Sequence, residues 1–442
     1  MAFQPHKPCN GSVLLKARRG KHMHYAIIGQ GPAGVIAAET LRKADKNSTI
    51  TMIGNEASAP YSRMALPYFL TGNIDENGTH LRHGADHFQA LGIDMVNGQV
   101  SRVNPKSVQL DGGKNIEFDR LLIAAGSHAV RPPVPGIDLP GVQNCWTLDD
   151  AHAIAARAKK GSRVLLMGAG FIGCIVLEAM IARGVKLTIV EAQDRMVPRM
   201  MDETGGDMIK RWCVNKGVTV LTGTQVKEIS EQGEAMNVVF SQAEPQEFDL
   251  VVCAAGVKAN IDFLQGSGIE TDAGVVVDHH LKTNLENIYA AGDIAQGPEF
   301  FTGAREVHAI QPTASEHGRI AALNMAGQET FYHGSLSMNV LSTIGLVSTS
   351  YGQWMGVKGG DETSMADPDR FKYIKLAFED DVLVGALALG FPAHPGVMRG
   401  LMQSKIALGK WKATLMNDPT RLMEVYLACT QGVIAESLAA SA

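Results

Sequence analysis

A short apolar run that leads directly into three spaced glycines constrains the fold of this chain more than any other feature. Residues 25–28 are followed by Gly29, Gly31 and Gly34 in a G-x-G-x-x-G spacing. An amphipathic segment and a second apolar run come next, which is the strand, turn, helix and strand order of a dinucleotide-binding unit. In such a unit the backbone at the second glycine approaches a pyrophosphate at the helix N-terminus. We therefore predict a dinucleotide here; a purely structural glycine turn is the alternative.

The same pattern occurs a second time in the middle of the chain. A predicted strand at 163–167 leads into Gly168, Gly170 and Gly173, and the next predicted strand ends at Glu191. Glu191 lies 23 residues (191 − 168) after Gly168. This is near the sequence separation of about 20 residues expected for a carboxylate that holds ribose hydroxyls. Two such units in one chain predict two dinucleotides.

The acid at the second unit bears on which nicotinamide cofactor is used. A carboxylate at Glu191 repels a 2′-phosphate, so we predict NADH, with NADPH less favoured. Arg195 lies nearby and favours the opposite choice. We interpret Arg195 as a solvated surface charge.

Composition limits the partners and the compartment. The 442 residues carry a net charge of −5, which does not favour nucleic acid as a partner. No uninterrupted apolar run approaches the ~20 residues of a membrane span. The six cysteines are scattered and form no C-x-x-C pair, which is typical of reduced thiols in a cytoplasmic protein.

The motifs predict an α/β protein with two Rossmann-like three-layer dinucleotide-binding domains and a C-terminal α+β interface domain. The predicted divisions are an N-terminal extension, a discontinuous first domain, an inserted second domain and the C-terminal domain (1–22; 23–132 with 258–330; 133–257; 331–442). Within them we expect a β-meander over 79–130. We also expect helices over 312–327, 397–412 and 419–430.

With these motifs assembled, the chain resembles the FAD/NAD(P)H flavoproteins of the pyridine nucleotide–disulfide oxidoreductase superfamily over roughly residues 23–430. The resemblance implies that the first glycine motif binds FAD and the second binds NADH. It assigns to FAD the residues Gly29, Gly31, Pro32, Ala33, Gly34, Glu56, Arg63, Ala125, Gly126, Gly292 and Asp293. It assigns to NAD the residues Gly168, Gly170, Phe171, Ile172, Gly173, Glu191 and Gly256.

The loop after the first unit suggests the subfamily. Pro60-Tyr61-Ser62-Arg63 resembles the P-Y-x-R loop of NADH-dependent rubredoxin, ferredoxin and nitrite reductase flavoprotein components, in which the arginine contacts FAD. Thiol-based relatives carry a redox cysteine in this loop, where this chain has Met64. A thioether is not a nucleophile like a thiolate. Disulfide reductase and peroxidase chemistry are therefore disfavoured.

A second departure concerns an ion pair that many relatives place beside the flavin. The lysine position is occupied by Tyr68 and the glutamate position by Ile175, so both charges are missing together. We expect Met64 and Tyr68 to lie near the flavin, and Glu178 to lie near the domain interface or in solvent. How the nicotinamide is positioned without the pair is left open.

The implied reaction is hydride transfer from NADH to flavin N5, with electrons passing to a redox partner protein such as a rubredoxin or ferredoxin. The alternatives are an NADH oxidase, a quinone or small-molecule reductase, and a flavin-dependent sensor or regulatory subunit. A homodimer or a subunit of a larger redox complex is expected. One predicted helical stretch contains Arg399, Lys405, Lys410 and Lys412. These charges either form a docking site for an acidic electron carrier or belong to a solvated face. The spacing of His308, His317 and His333 predicts no metal site.

Overall fold

The computed structural model describes residues 22–84, 86–391 and 395–430. The predicted N-terminal extension therefore lies outside the described residues, apart from His22. Within the described ranges the chain forms two similar parallel sheets and a third, antiparallel sheet near its C-terminus.

The first half is built around a parallel sheet with the strand order β19-β7-β1-β2-β3. Its elements before the second half are β1 (His24–Ile28), α1 (Pro32–Ala44), β2 (Thr49–Gly54), α2 (Leu66–Thr71), α3 (His87–Ala90), β3 (Ile93–Asn97), β4 (Val100–Asn104), β5 (Ser107–Leu110), β6 (Asn115–Glu117), β7 (Arg120–Ile123) and β8 (Ser127–Ala129). The expected meander over 79–130 is only partly right. Strands β4, β5 and β6 form it, whereas β3 and β7 join the parallel sheet because their residues pair with β2 and β1.

The second half repeats this architecture with the parallel strand order β12-β11-β10-β16-β9. Its elements are β9 (Val142–Asn144), α4 (Leu148–Arg157), β10 (Arg163–Met167), α5 (Phe171–Ala182), β11 (Lys186–Val190), α6 (Glu203–Asn215), β12 (Thr219–Leu221), β13 (Val226–Gln232), β14 (Ala235–Phe240), β15 (Gln246–Phe248), β16 (Leu250–Cys253) and β17 (Val257–Ala259). In both halves a glycine loop links the central strand to the next helix, as the duplicated motif predicts.

The chain then returns to the first half. The returning elements are β18 (Val275–Val276), β19 (Ile288–Ala290), β20 (Ala295–Pro298), β21 (Arg305–Val307) and α7 (Gln311–Met325). Helix α7 packs closely on α1, because a Cβ atom on Gly318 would lie only 2.2 Å from the carbonyl oxygen of Ala33. Strands β8 and β17, which leave and re-enter the first half, pair with each other in antiparallel fashion.

The C-terminal part is an antiparallel sheet with helices, as expected for an α+β unit. Its elements are β22 (Met338–Thr343), β23 (Leu346–Gly352), β24 (Asp361–Asp367), β25 (Lys372–Glu379), β26 (Val382–Leu389), α8 (Pro395–Gln403) and α9 (Lys410–Asn417), with helix also over 422–430. The single helix expected over 397–412 is wrong. The segment 404–409 interrupts it, and Lys405 within it adopts a positive φ of 46°.

Candidate functional site

A cavity of about 690 Å³ opens at the carboxyl ends of the first parallel sheet. Its wall includes the residues that directly follow β1, β2, β7 and β19. Helix α5 of the second half closes another side. Ligands of open α/β sheets bind at this edge, so the cavity is the candidate site.

The first glycine loop has the shape that a pyrophosphate requires. Gly29 has φ +116°, and a Cβ there would lie 2.0 Å from the carbonyl oxygen of Ala124. A Cβ on Gly34 would meet the carbonyl oxygen of Gly29 at the same distance. By contrast, a Cβ on Gly31 would meet nothing within 4 Å. The open side of Gly31 lines the cavity at the N-terminus of α1, so the loop fits the pyrophosphate of FAD.

Asp293 lines the same cavity, beside Gly292, where a Cβ on Gly292 would lie 3.2 Å from Ala33 of α1. Its carboxylate accepts a hydrogen bond from the hydroxyl of Ser127 at 2.9 Å. Burial raises the pKa of Asp293, and the Ser127 hydrogen bond opposes that rise. Ala125, Gly126 and Gly292 also line the cavity. A buried acceptor beside small residues suits a polyhydroxyl chain such as the ribityl group of FAD.

Arg63 is held by a network that spans one side of the cavity. Its Nη2 contacts Glu56 Oε1 at 2.8 Å, and its Nη1 donates to the Trp146 carbonyl at 2.6 Å. The guanidinium carbon lies 5.2 Å from the centroid of the Trp146 ring and 5.6 Å from that of Tyr61. The Tyr61 hydroxyl in turn donates to Glu56 Oε2 at 2.5 Å. These contacts hold the Arg63 side chain against the cavity wall.

The two residues expected beside the flavin differ in position. Met64 lines the cavity and is 47% exposed, so it lies at the mouth. Tyr68 is 58% exposed and is not part of the lining. Helix α2 begins at Leu66 and its turn carries Tyr68 out to solvent, so Tyr68 does not form part of the cavity wall, and its place beside the flavin stays a prediction. Ile175 does line the cavity, which makes the nicotinamide side apolar.

Three consecutive lining residues were not anticipated from the sequence: Cys145, Trp146 and Thr147. Cys145 is 9% exposed, and burial raises the pKa of its thiol to about 12. It therefore stays protonated and is not a thiolate nucleophile near neutral pH. The indole N–H of Trp146 donates to the Ser127 carbonyl at 2.9 Å. Because Ser127 also donates to Asp293, it links Trp146 to Asp293. No local sequence pattern predicts this link.

The second glycine loop repeats the geometry of the first. Gly168 has φ +102°, and a Cβ on Gly173 would lie 2.0 Å from the Gly168 carbonyl oxygen. A Cβ on Gly170 would meet nothing within 4 Å. Phe171 and Ile172, at the start of α5, line the cavity, so the two halves meet there. Gly256, with φ +113°, lies outside the lining.

Glu191 is buried beside this loop. Its Oε2 accepts the backbone N–H of Ala169 at 2.7 Å, and its Oε1 accepts that of Gln193 at 2.9 Å. Arg195 is not the solvated charge that was expected. Its side chain donates to the Met201 carbonyl and pairs with Asp194 at 2.8 Å. A 2′-phosphate would have to compete with these partners for the guanidinium group.

The remaining candidates lie away from the cavity. Cys174 is fully buried in α5, and burial raises its pKa. His317 is 2% exposed behind the cavity wall, where its Nδ1 accepts the Gly292 N–H at 3.4 Å. Lys405 and Lys412 contact Phe300 and Asp361 respectively, so they are not a uniformly solvated basic face. Among the described residues no cluster of metal-ligating side chains occurs.

Comparisons with known proteins agree with this geometry. The family model for pyridine nucleotide-disulphide oxidoreductases matches residues 23–307. The chain is 29% identical over 406 residues to the epsilon subunit of NADH-dependent phenylglyoxylate dehydrogenase from Aromatoleum evansii, covering 90% of this chain and 96% of that protein. It is 30% identical to the ferredoxin–NAD(+) reductase subunit of the benzene 1,2-dioxygenase system from Pseudomonas putida, covering 69% and 75%.

A solved structure shares the fold over nearly the whole chain. The covalent putidaredoxin reductase–putidaredoxin complex matches with a TM-score of 0.85 and 20% identity, covering 93% of this chain and 100% of the matched chain. Across the part of this chain that the structure describes, no helix is long and apolar enough to cross a membrane.

Proposed function

Because the chain belongs to the pyridine nucleotide-disulphide oxidoreductase family, we propose that it passes electrons from NADH through FAD to an iron–sulfur protein partner. The chain is a flavin-dependent NAD(P)H oxidoreductase with FAD and NADH as cofactors. The acceptor is the proposed part. It is supported by the relatives named as ferredoxin reductase and as a subunit of a dehydrogenase complex.

The observation that carries this proposal is the composition of the cavity wall. Met64 lies at its mouth where thiol-dependent relatives have a cysteine, and the thiol of Cys145 is held protonated by burial. No described lining residue therefore offers a thiolate to relay electrons. Bound FAD would accept a hydride and release electrons to the partner.

The protein's own residues have the task of binding, orienting and excluding water. We propose that the first glycine loop and the N-terminus of α1 hold the FAD pyrophosphate, and that Asp293 holds the ribityl chain. The second loop, with Glu191, holds the NADH pyrophosphate and ribose. Phe171, Ile172 and Ile175 present an apolar face at the junction of the two halves, which keeps water from the nicotinamide.

We further propose that the four sequence divisions are domains, and that the chain acts in the cytoplasm as a homodimer or as a subunit of a larger redox complex. The subunit form is supported by the dehydrogenase subunit that matches 90% of this chain. Cytoplasmic location is supported by the buried free thiols of Cys145, Cys174, Cys213 and Cys253.

Rapid mixing without oxygen tests the proposal. NADH is expected to bleach the FAD absorbance of the holoprotein within a second or so, and an oxidised ferredoxin or rubredoxin should restore it faster than oxygen or a quinone does. Faster recovery with oxygen would instead identify an oxidase. Bleaching that takes many minutes would contradict an electron-transfer enzyme and support a sensor.

A further inference from the structure

The two dinucleotide-binding halves correspond residue by residue through their strand pairing. In each half, the first glycine of the loop donates its backbone N–H to a carbonyl at or next to the end of the neighbouring strand, which is β2 or β11. Gly29 donates to the carbonyl of Ile53 at 2.7 Å, and Gly168 donates to that of Val190 at 2.8 Å. Ile53 and Val190 are therefore equivalent positions.

This register places the acids of the two halves at different positions. The residue after Val190 is Glu191, whereas the residue after Ile53 is Gly54. Glu56 lies two residues further along and corresponds to Gln193. The acid that the general pattern places at the ribose is thus replaced by glycine in the first half.

The space beside Gly54 is filled by a different side chain. A Cβ on Gly54 would lie 2.4 Å from Cδ and 2.7 Å from Oε1 of Gln30. Gln30 belongs to the glycine loop, so an amide side chain occupies the place next to the strand end. A longer side chain at position 54 would displace it.

Glu56 is instead bound by two side chains of the cavity wall. Its Oε1 receives Arg63 and its Oε2 receives the Tyr61 hydroxyl. The equivalent contacts of Glu191 come from two backbone N–H groups, that of Ala169 in the second glycine loop and that of Gln193. The two acids therefore have different partners and are suited to different tasks.

The partner of Glu56 has a charge that FAD needs. Arg63 is the only lysine or arginine among the described residues that line the cavity. The FAD pyrophosphate is negatively charged, and the N-terminus of α1 supplies only a partial positive charge. A guanidinium group matches phosphate oxygens in a planar, two-pronged geometry, which is effective only when its orientation is fixed.

We propose that Glu56 is a positioning residue that holds Arg63 towards the FAD pyrophosphate, and that it does not act as the ribose carboxylate of the first half. This inference rests on the FAD site proposed above. A carboxylate only accepts hydrogen bonds. In the positioning role Glu56 accepts them from Arg63, whereas in the other role it would accept them from the ribose hydroxyls. If Glu56 acts through Arg63, its removal has no effect once Arg63 is absent.

A double-mutant cycle on the apoprotein measures this dependence. The dissociation constant of FAD is determined by titration for wild type, Glu56→Gln, Arg63→Met and the double variant. We expect about tenfold weaker binding for Glu56→Gln and about thirtyfold for Arg63→Met, with the double variant no weaker than Arg63→Met alone. Multiplied effects, about 300-fold in the double variant, would overturn the proposal.

A modified ligand provides an independent arm. FAD whose adenosine lacks both ribose hydroxyls is compared with FAD on wild type and Glu56→Gln. The proposal predicts the same penalty from Glu56→Gln with either ligand, because the ribose is not the target. A penalty that disappears with the dideoxy ligand would assign Glu56 to the ribose and refute the positioning role.

Two controls separate folding and site assignment from this role. Glu424→Gln removes a carboxylate from the exposed Arg421–Glu424 pair and should leave FAD binding unchanged. If Glu56→Gln does not fold by circular dichroism, Glu56→Asp enters the same cycle, since shortening by one methylene also breaks the contact. Unchanged FAD affinity in Gly31→Val would contradict the FAD site itself. If Gly31→Val does weaken FAD binding but the effects of Glu56→Gln and Arg63→Met multiply, only the role of Glu56 is contradicted.

Discussion

The carboxylate of Glu191 accepts the backbone N–H of Ala169 at 2.7 Å, so this acid ties the end of β11 to the glycine loop beside it. Ala169 lies between Gly168 and Gly170, on the turn that we propose to face the NADH pyrophosphate. Glu191 therefore orders the loop, and in the proposed site it presents a negative charge at the ribose. Both effects should be visible in cofactor choice.

Replacing Glu191 with glutamine should weaken NADH binding about tenfold or more, because hydrogen bonds to a charged acceptor are each worth ~1.5–3 kcal/mol. NADPH should be affected less, since the repulsion of its 2′-phosphate is removed at the same time. Dissociation constants for both cofactors, measured on the oxidised holoprotein, check this. An unchanged ratio of NADH to NADPH affinity would be inconsistent with the ribose role.

Gly31→Val should give a folded protein that purifies without FAD. A Cβ at this position meets no protein atom within 4 Å, so we expect stability to be retained, but the side chain occupies space meant for the pyrophosphate. Gly29→Ala offers the contrast, because its Cβ would collide with the Ala124 carbonyl and disturb folding. Thermal unfolding and the flavin-to-protein absorbance ratio distinguish the two. A yellow Gly31→Val protein would rule out the pyrophosphate assignment.

Cys145→Ala should keep both FAD and the rate of flavin bleaching by NADH within about twofold. The thiol is protonated near neutral pH because burial raises its pKa to about 12. Transfer to the acceptor should be equally unaffected. A variant that retains FAD and loses electron transfer would mean that Cys145 takes part in the chemistry.

His317 should make the folded protein sensitive to acid. Burial lowers its pKa from 6.5 to about 3, so between those values the unfolded chain binds more protons and stability falls as the pH is lowered. The contribution is up to about 1.4 kcal/mol per pH unit. His317→Gln should therefore lose less stability between pH 7 and pH 4.5 than wild type, measured by urea unfolding of the apoproteins. Parallel losses in the two proteins would show that His317 is not the group responsible.

Both glycine loops could be predicted from the sequence because their spacing and their flanking strands are local signals. Phe171, Ile172 and Asp293 follow from the same motifs, and the fold class follows from the order of strands and helices. Met64 lines the cavity because a short loop carries it there, and its place beside the flavin stays a prediction.

Three-dimensional register and distant packing could not be predicted from the sequence. Counting along the sequence to the first acid after β2 leads to Glu56, whereas the strand pairing shows that Gly54 is the positional counterpart of Glu191. The turn of α2 carries Tyr68 to solvent, and the sequence pattern alone does not show this orientation. Trp146 reaches Arg63 across 83 residues of sequence, and no local pattern encodes such a contact.

The crossing strands β8 and β17 have a consequence for engineering the molecule. Where they pass between the halves, the N–H of Val130 donates to the Gly256 carbonyl at 2.9 Å, so the second half begins and ends at touching residues. A segment with adjacent ends can be cut out and replaced without stretching the surrounding chain. Residues 131–255 should thus behave as an exchangeable cassette, and a chimera carrying the corresponding segment of a relative should acquire that relative's cofactor preference.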